Sequence, residues 1–204
     1  MLRRTAKASF AADAWVFPGG RIDPGDGADA GSMDAARQGA ARETLEEAGV
    51  VVDPQALIPF SQWCPPPESP KRFLTWFFVA GSASADEVTV DGAEITEHEW
   101  VRPADAIAAR DEGRITLLPP TWVTLWELGR HATVADALAA AQEASPPFFE
   151  THIAFVPRDD DPEKKDVVSM WEGDAGYETS DPHAPGARHR LRMGAPPWRY
   201  ERTA

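Results

Sequence analysis

Apolar and polar positions along the chain fall into two rhythms. The segment Arg72–Ala80 (Arg-Phe-Leu-Thr-Trp-Phe-Phe-Val-Ala) is mostly aromatic, aliphatic and β-branched, which predicts a strand buried on both faces. Glu94–Arg102 alternates in part and predicts a second strand, and Val50-Val51-Val52 opens a further extended segment. Helical spacing predicts helices over about 34–48, 104–112, 121–128 and 134–144. Ser32 stands where an N-cap belongs and Gly49 where a C-cap glycine belongs. Asp23-Pro24-Gly25-Asp26-Gly27 is a turn signal, and the prolines of Cys64–Pro70 exclude helix or central strand. Strands and helices do not alternate regularly, so the expected class is α+β, a mixed sheet sandwiched with helices.

The stretch from about residue 146 onward differs in character. It carries acidic, proline-containing loops, and Arg188–Arg202 holds five arginines against one glutamate. Phe148, Phe149, Phe155, Trp171, Tyr177, Trp198 and Tyr200 are too many aromatic residues for a solvating tail. The expected organisation is a catalytic domain over 1–145 and an ordered extension over 146–204 packed on it. Composition changes the picture in two ways. The formal charge of −13 argues against a general binder of nucleic acid or anionic membrane, so a polyanionic substrate would need a cation as mediator. The single cysteine, Cys64, excludes an internal disulfide, and the lack of any apolar run near ~18 residues argues against a spanning helix. The N-terminus is basic without an apolar stretch behind it, unlike a secretory signal, and the expected location is cytoplasmic.

The most informative stretch is Arg42-Glu43-Thr44-Leu45-Glu46-Glu47-Ala48-Gly49-Val50. At ~100° per residue, Glu43, Glu46 and Glu47 share one helix face, with Ala41, Leu45 and Ala48 on the opposite side, which is expected to face the core. Such a face suits solvent, where like charges cost only a few tenths of a kcal/mol per pair. Held at a partly buried surface, the same face calls for a hard divalent cation, for which carboxylate oxygens are the natural ligands. Just upstream, Val16-Phe17-Pro18-Gly19-Gly20-Arg21-Ile22 is an apolar run ending in a turn where backbone can approach a ligand or another segment closely.

Together these segments resemble the Nudix hydrolase signature, G-x5-E-x7-R-E-U-x-E-E-x-G-U with U aliphatic. Arg42, Glu43, Glu46, Glu47, Gly49 and Val50 match, and Thr44 replaces an aliphatic residue. Asp26 follows Gly20 at the spacing of the signature's first glutamate, but fifteen residues then separate it from Arg42, where the pattern has seven. An eight-residue insertion within about 27–34 accounts for this, and Asp34, at the regular distance before Arg42, is the rival for the same role. Segments 9–21 and 71–80, Leu118-Pro119-Pro120-Thr121 and Gly173–Tyr177 are further similar to the acyl-CoA diphosphatase branch, with Leu74 and Cys64 as departures. The family's sheet has a strand ahead of Leu2-Arg3-Arg4, and the chain begins inside that segment.

The resemblance implies a Nudix α/β/α sandwich and a hydrolase of the diphosphate linkage in a nucleoside diphosphate derivative, CoA or acyl-CoA in the branch concerned. Nucleotide sugars and dinucleotides are the alternative substrates, and a non-catalytic nucleotide-binding module is the alternative role. It implies Mg²⁺ or Mn²⁺ held by Glu43, Glu46 and Glu47, with Glu46 and Arg42 in the catalytic machinery and Arg42 orienting the carboxylates. A further acidic residue from the 94–99 strand is expected as base, nominally Glu97. Gly19, Gly20 and Arg72 are the expected substrate contacts. The partner is a small molecule, with neither nucleic acid nor membrane, and a homodimer is the open oligomeric expectation. Trp63 and Trp76 suit either a packed core or a stacked base.

Overall fold

A computed structural model describes residues 1–8, 11–70, 72–82, 88–158 and 161–203. In chain order these form β1 (Leu2–Arg4), β2 (Ala14–Val16), α1 (Met33–Ala48), a 3₁₀ turn (Pro54–Ala56), β3 (Ile58–Cys64), β4 (Thr75–Val79), β5 (Ile95–His98), α2 (Pro103–Asp111), β6 (Thr116–Leu117), α3 (Pro119–Leu128), α4 (Val134–Glu143), β7 (Phe148–Glu150), β8 (His152–Pro157), β9 (Lys165–Met170), β10 (His189–Met193) and β11 (Arg199–Arg202). This is the mixed α+β content expected. The chain divides into two compact units. One comprises Met1–Phe60 with Trp76–Pro146, the other Ser61–Thr75 with Pro147–Ala204.

The first unit contains a four-stranded sheet in the order β5-β1-β2-β6, antiparallel except for the parallel β2–β6 pair. Leu2–Arg4 is thus an interior strand, with β2 and β5 on its two sides. Leu2, Ala48, Val50 and Ile95 form a buried cluster with Val16, Val52, Val88 and Val90 packed against it. This cluster links the sheet to the C-terminal end of α1. The helix begins where the Ser32 side chain accepts from the Ala35 N–H, and it ends where Gly49 turns to φ 68°, a left-handed conformation that suits glycine. Pro103 and Pro119 start α2 and α3 at the one place where a missing N–H costs nothing.

Three sequence expectations need correction here. The 72–80 strand is shorter, Thr75–Val79, and half-buried along most of its length rather than buried on both faces. The 94–102 strand is confined to Ile95–His98, and Val50–Val52 leads into a 3₁₀ turn, not a strand. The inward face of α1 is not the one carrying Ala41 and Leu45. Leu45 is 50% exposed, whereas Ala35, Ala36, Gly39, Glu47 and Ala48 are buried. Small side chains line this inward face because the loop ahead of the helix lies directly on it. A methyl group at Gly27 would stand 3.1 Å from Cβ of Ala35.

The second unit contains an antiparallel meander in the order β11-β10-β9-β8. Gln62–Cys64 of β3 pair in parallel with Phe148–Glu150 of β7. Its core is aromatic. Trp63 stacks on Phe149 with ring centroids 4.1 Å apart, and Trp171, fully buried, meets both edge-on. Each indole N–H is satisfied, Trp63 by Ser61 Oγ at 2.9 Å and Trp171 by Thr151 Oγ1 at 3.0 Å. Of the two readings for Trp63, packed core is the one observed. Phe148 and Phe155, in contrast, stay 44% and 62% exposed, because each stands on the outward side of its strand. The arginines of β10 find carboxylates within this unit. Arg190 makes a bidentate, buried pair with Asp174, and Arg192 donates to Asp166 at 2.6 Å.

Candidate active site

The site lies in the first unit, where the Gly19-Gly20 turn meets the second half of α1. The Gly19 backbone N–H donates to Glu47 Oε2 at 2.9 Å. At Gly20 the approach is closer still, since any Cβ there would run into the carboxylate of Glu43. A side chain at 20 would therefore push the Glu43 carboxylate out of its place, while at 19 a Cβ would point into open space.

Glu47 is buried, although among the described residues no lysine or arginine is bonded to it. Burial pushes its carboxyl up to about 7. The Gly19 N–H and the charge of Arg4 work against that shift, while Glu43 and Glu94 reinforce it. Glu43 and Glu46 are held differently. Arg42 Nη1 donates to Glu43 Oε1 at 2.9 Å and to Glu46 Oε2 at 3.1 Å. The rest of the guanidinium is committed to the loop. Nε and Nη2 each donate to Asp26 at 3.0 Å, and Nη2 also donates to the Arg21 carbonyl at 2.8 Å. Asp26 in turn accepts the Asp23 N–H at 2.7 Å. The hydrogen bonds from Arg42 hold the Asp26 carboxyl below its ordinary range, and those to Asp26 hold Arg42 above its own.

This geometry decides between the two aspartates. The Asp26 side chain is 5% exposed and forked by Arg42; Asp34 is 81% exposed and pairs with Arg37 at 3.6 Å. Of the two, Asp26 is the aspartate that the fold brings to Arg42.

Two expected residues are engaged elsewhere. Glu97 accepts from Arg3 Nη1 at 2.6 Å, and Arg3 also pairs with Asp13 at 2.7 Å, so Glu97 is not brought to the Gly19–Glu47 contact. Arg72 belongs to the second unit, where it donates to the Pro65 carbonyl at 3.0 Å, to Glu150 at 3.0 Å and to Cys64 Sγ at 3.2 Å. Arg4, not singled out in the sequence, does act on Glu47, as does its ion-pair partner at 3.7 Å, Glu94, an acid of the 94–99 strand other than the nominal Glu97. Their signal was present in the alternation of β1, where Arg3 and Arg4 must point to opposite faces, and the β1–β5 register shifts between them.

The donor chemistry fits a hard divalent cation. Glu47 is a buried carboxylate to which no described lysine or arginine is bonded, Glu43 lies close enough to repel it, and all the oxygens are of the kind Mg²⁺ and Mn²⁺ take. As the side chains stand, Arg42 draws Glu43 and Glu46 to itself. Among the described residues no three His, Cys, Asp or Glu side chains converge on one point. Nor, among them, is any helix long and apolar enough to cross a membrane.

Comparison with known proteins agrees with this arrangement. The NUDIX domain family model matches residues 1–119. The chain is 26% identical over 171 residues to the Caenorhabditis elegans protein named "Putative nudix hydrolase 7", covering 67% of the chain and 56% of that protein, so it spans about half of its relative's length. The crystal structure of a NUDIX hydrolase from Alicyclobacillus acidocaldarius superposes with a TM-score of 0.60 at 22% identity, covering 68% of this chain and 86% of that one, which is a likeness of fold. With the family model spanning more than half of the sequence and the glutamates of its helix seated against the glycine turn, the chain belongs to the NUDIX family.

Proposed function

We propose that the chain hydrolyses the diphosphate linkage of a nucleoside diphosphate derivative, with CoA or an acyl-CoA as the substrate and Mg²⁺ or Mn²⁺ as the cofactor. The observation that carries this reading is the seating of Glu47, a buried carboxylate tied to the Gly19 N–H and crowded by Glu43. A solvated acidic face would need none of this.

Glu43, Glu46 and Glu47 would hold the cation, which when bound supplies charge neutralisation for the diphosphate and a more acidic water. The remaining work belongs to the chain. Arg42 sets the orientation of Glu43 and Glu46 through one nitrogen while Asp26 fixes the other two. Glu46, the most exposed of the three at 59%, is the carboxylate free to exchange partners and accept a proton from water. The Gly19-Gly20 backbone is where a phosphate can lie, with position 20, beside Glu43, the one that a side chain would close. For Glu97 to serve as base it would first have to leave Arg3. The CoA assignment rests on the sequence similarity of 9–21 and 71–80.

The test is product release from CoA, acyl-CoA, ADP-ribose and a dinucleotide, with Mg²⁺ or Mn²⁺ and with chelator. Metal-dependent turnover that is highest on a CoA ester is expected. An ADP-ribose or dinucleotide rate about tenfold higher, a transition-state difference of roughly 1.4 kcal/mol, would overturn the substrate assignment. No turnover on any of them would overturn the hydrolase reading.

A further inference from the structure

Gly39 lies in the middle of α1, three residues before Arg42, where a glycine weakens a helix and alanine would strengthen it. Its surroundings supply the reason for it. A Cβ at this position would stand 3.1 Å from Asp26 Oδ2 and 3.6 Å from Asp26 Cγ, and its next neighbour, Cα of Ile22, is at an ordinary 3.7 Å. The Asp26 carboxylate is therefore the one group that a side chain at 39 would crowd. It cannot easily give way. Two bonds from Arg42 and one from the Asp23 N–H fix it, and it is almost fully buried.

We infer that Gly39 is a positioning residue for the active site, acting through Asp26 on Arg42 and through Arg42 on Glu43 and Glu46. The inference rests on the reading of Arg42 given above. Its physical logic follows from the insertion. With eight extra residues between Asp26 and the helix, the acidic residue returns to Arg42 from a loop lying across the inward face of α1. That route passes directly over position 39, where a Cβ would press on the carboxylate at 3.1 Å. Displacing Asp26 by a few tenths of an ångström would turn the guanidinium and with it the two glutamates it bridges.

The experiment is a double-mutant cycle between Gly39→Ala and Asp26→Ala, read in both turnover and Tm. In the native background Gly39→Ala is expected to lower kcat by about fivefold, a modest share of what an ångström of misplacement costs, with little change in KM. It should leave Tm unchanged or lower. In the Asp26→Ala background, where no carboxylate is crowded, the same substitution should raise Tm, because only the helix preference for alanine remains. An equal Tm shift in both backgrounds would overturn the inference. Should Gly39→Ala fail to fold while the double variant folds, the coupling stands; should neither fold, the obstruction lies elsewhere and the inference fails. The Tm cycle reads the coupling even if the native chain turns over no diphosphate, so that result would refute the hydrolase reading without touching this one.

Discussion

Gly19 and Glu47, 28 residues apart in the chain, are joined by a single hydrogen bond of 2.9 Å from backbone N–H to carboxylate. That bond fixes the glycine turn to the last turn of α1 and holds an acid in a buried site.

Glu47→Gln should remove 10- to 100-fold of the turnover, the range typical when a metal site loses a charged ligand or its support. The amide oxygen can still accept from Gly19, and the buried charge is gone, so Tm should hold or rise. Turnover and thermal unfolding measured on one preparation check both halves. Near-native turnover would falsify the metal-site assignment.

The two glycines of the turn should respond differently. At Gly19 a methyl group meets nothing within 4 Å, and its N–H survives in alanine, so Gly19→Ala should be close to silent. At Gly20 the methyl meets the end of the Glu43 side chain, which can swing away. Gly20→Ala should therefore spare Tm and cost about tenfold or more in kcat, as expected for a displaced ligand. Similar kinetics for both variants would show that Glu43 does not depend on this turn.

Arg42→Lys keeps the charge but loses the fork. A lysine cannot reach Asp26 with two parallel donors while also bridging Glu43 and Glu46, so turnover should fall by at least tenfold. Stability should fall by about 1–3 kcal/mol, the cost of a charge-assisted bond lost from a buried acceptor. Equilibrium denaturation of the two proteins measures this directly. A variant with native stability would mean that Asp26 is adequately satisfied by the Asp23 N–H.

The second unit should show its own acid transition. Burial alone would push the Asp174 carboxyl up, but the Arg190 guanidinium and the N–H groups of His189 and Gly176 outweigh it and bring it down to about 2. A depressed carboxyl contributes stability above its ordinary value and loses it as pH falls toward the folded one. The loss, roughly 2 kcal/mol, is thus expected between about pH 4 and pH 2. The aromatic core around Trp171 offers a fluorescence readout. Asp174→Asn should be less stable at neutral pH, with a flatter profile in that window; parallel profiles for the two proteins would rule Asp174 out as the source.

Much of this was legible in the sequence because local chemistry determines it. Ser32 and Gly49 announced the ends of α1, and the spacing of Glu43, Glu46 and Glu47 announced their common face. The direction of that face was not legible. A helix wheel assigns the inward side by apolarity, and here it favoured Ala41 and Leu45. The observed inward side is set by a loop that needs small residues beneath it and by a carboxylate drawn into the interior by a backbone N–H. The choice between Asp26 and Asp34 was likewise beyond sequence spacing, since it depends on which aspartate the loop returns to Arg42. Glu97 follows nominally from the family resemblance, and strand alternation does not show that Arg3 of a neighbouring strand holds its carboxylate.

The second unit is assembled from two stretches of chain that lie far apart in sequence, as Arg72 and Glu150, 78 residues apart, illustrate by their 3.0 Å contact. During synthesis the first stretch emerges long before its partner. Trp63 must wait, with its ring uncovered, until Phe149 and Trp171 have been made. Contacts of such wide separation are entropically late and slow folding. A ribosome-bound chain ending near residue 146 would therefore present an orphaned apolar strand, the kind of segment that chaperones hold and aggregates recruit. Domain-boundary truncation, the usual first step in isolating a catalytic core, would here reproduce that unfinished state rather than a smaller native protein.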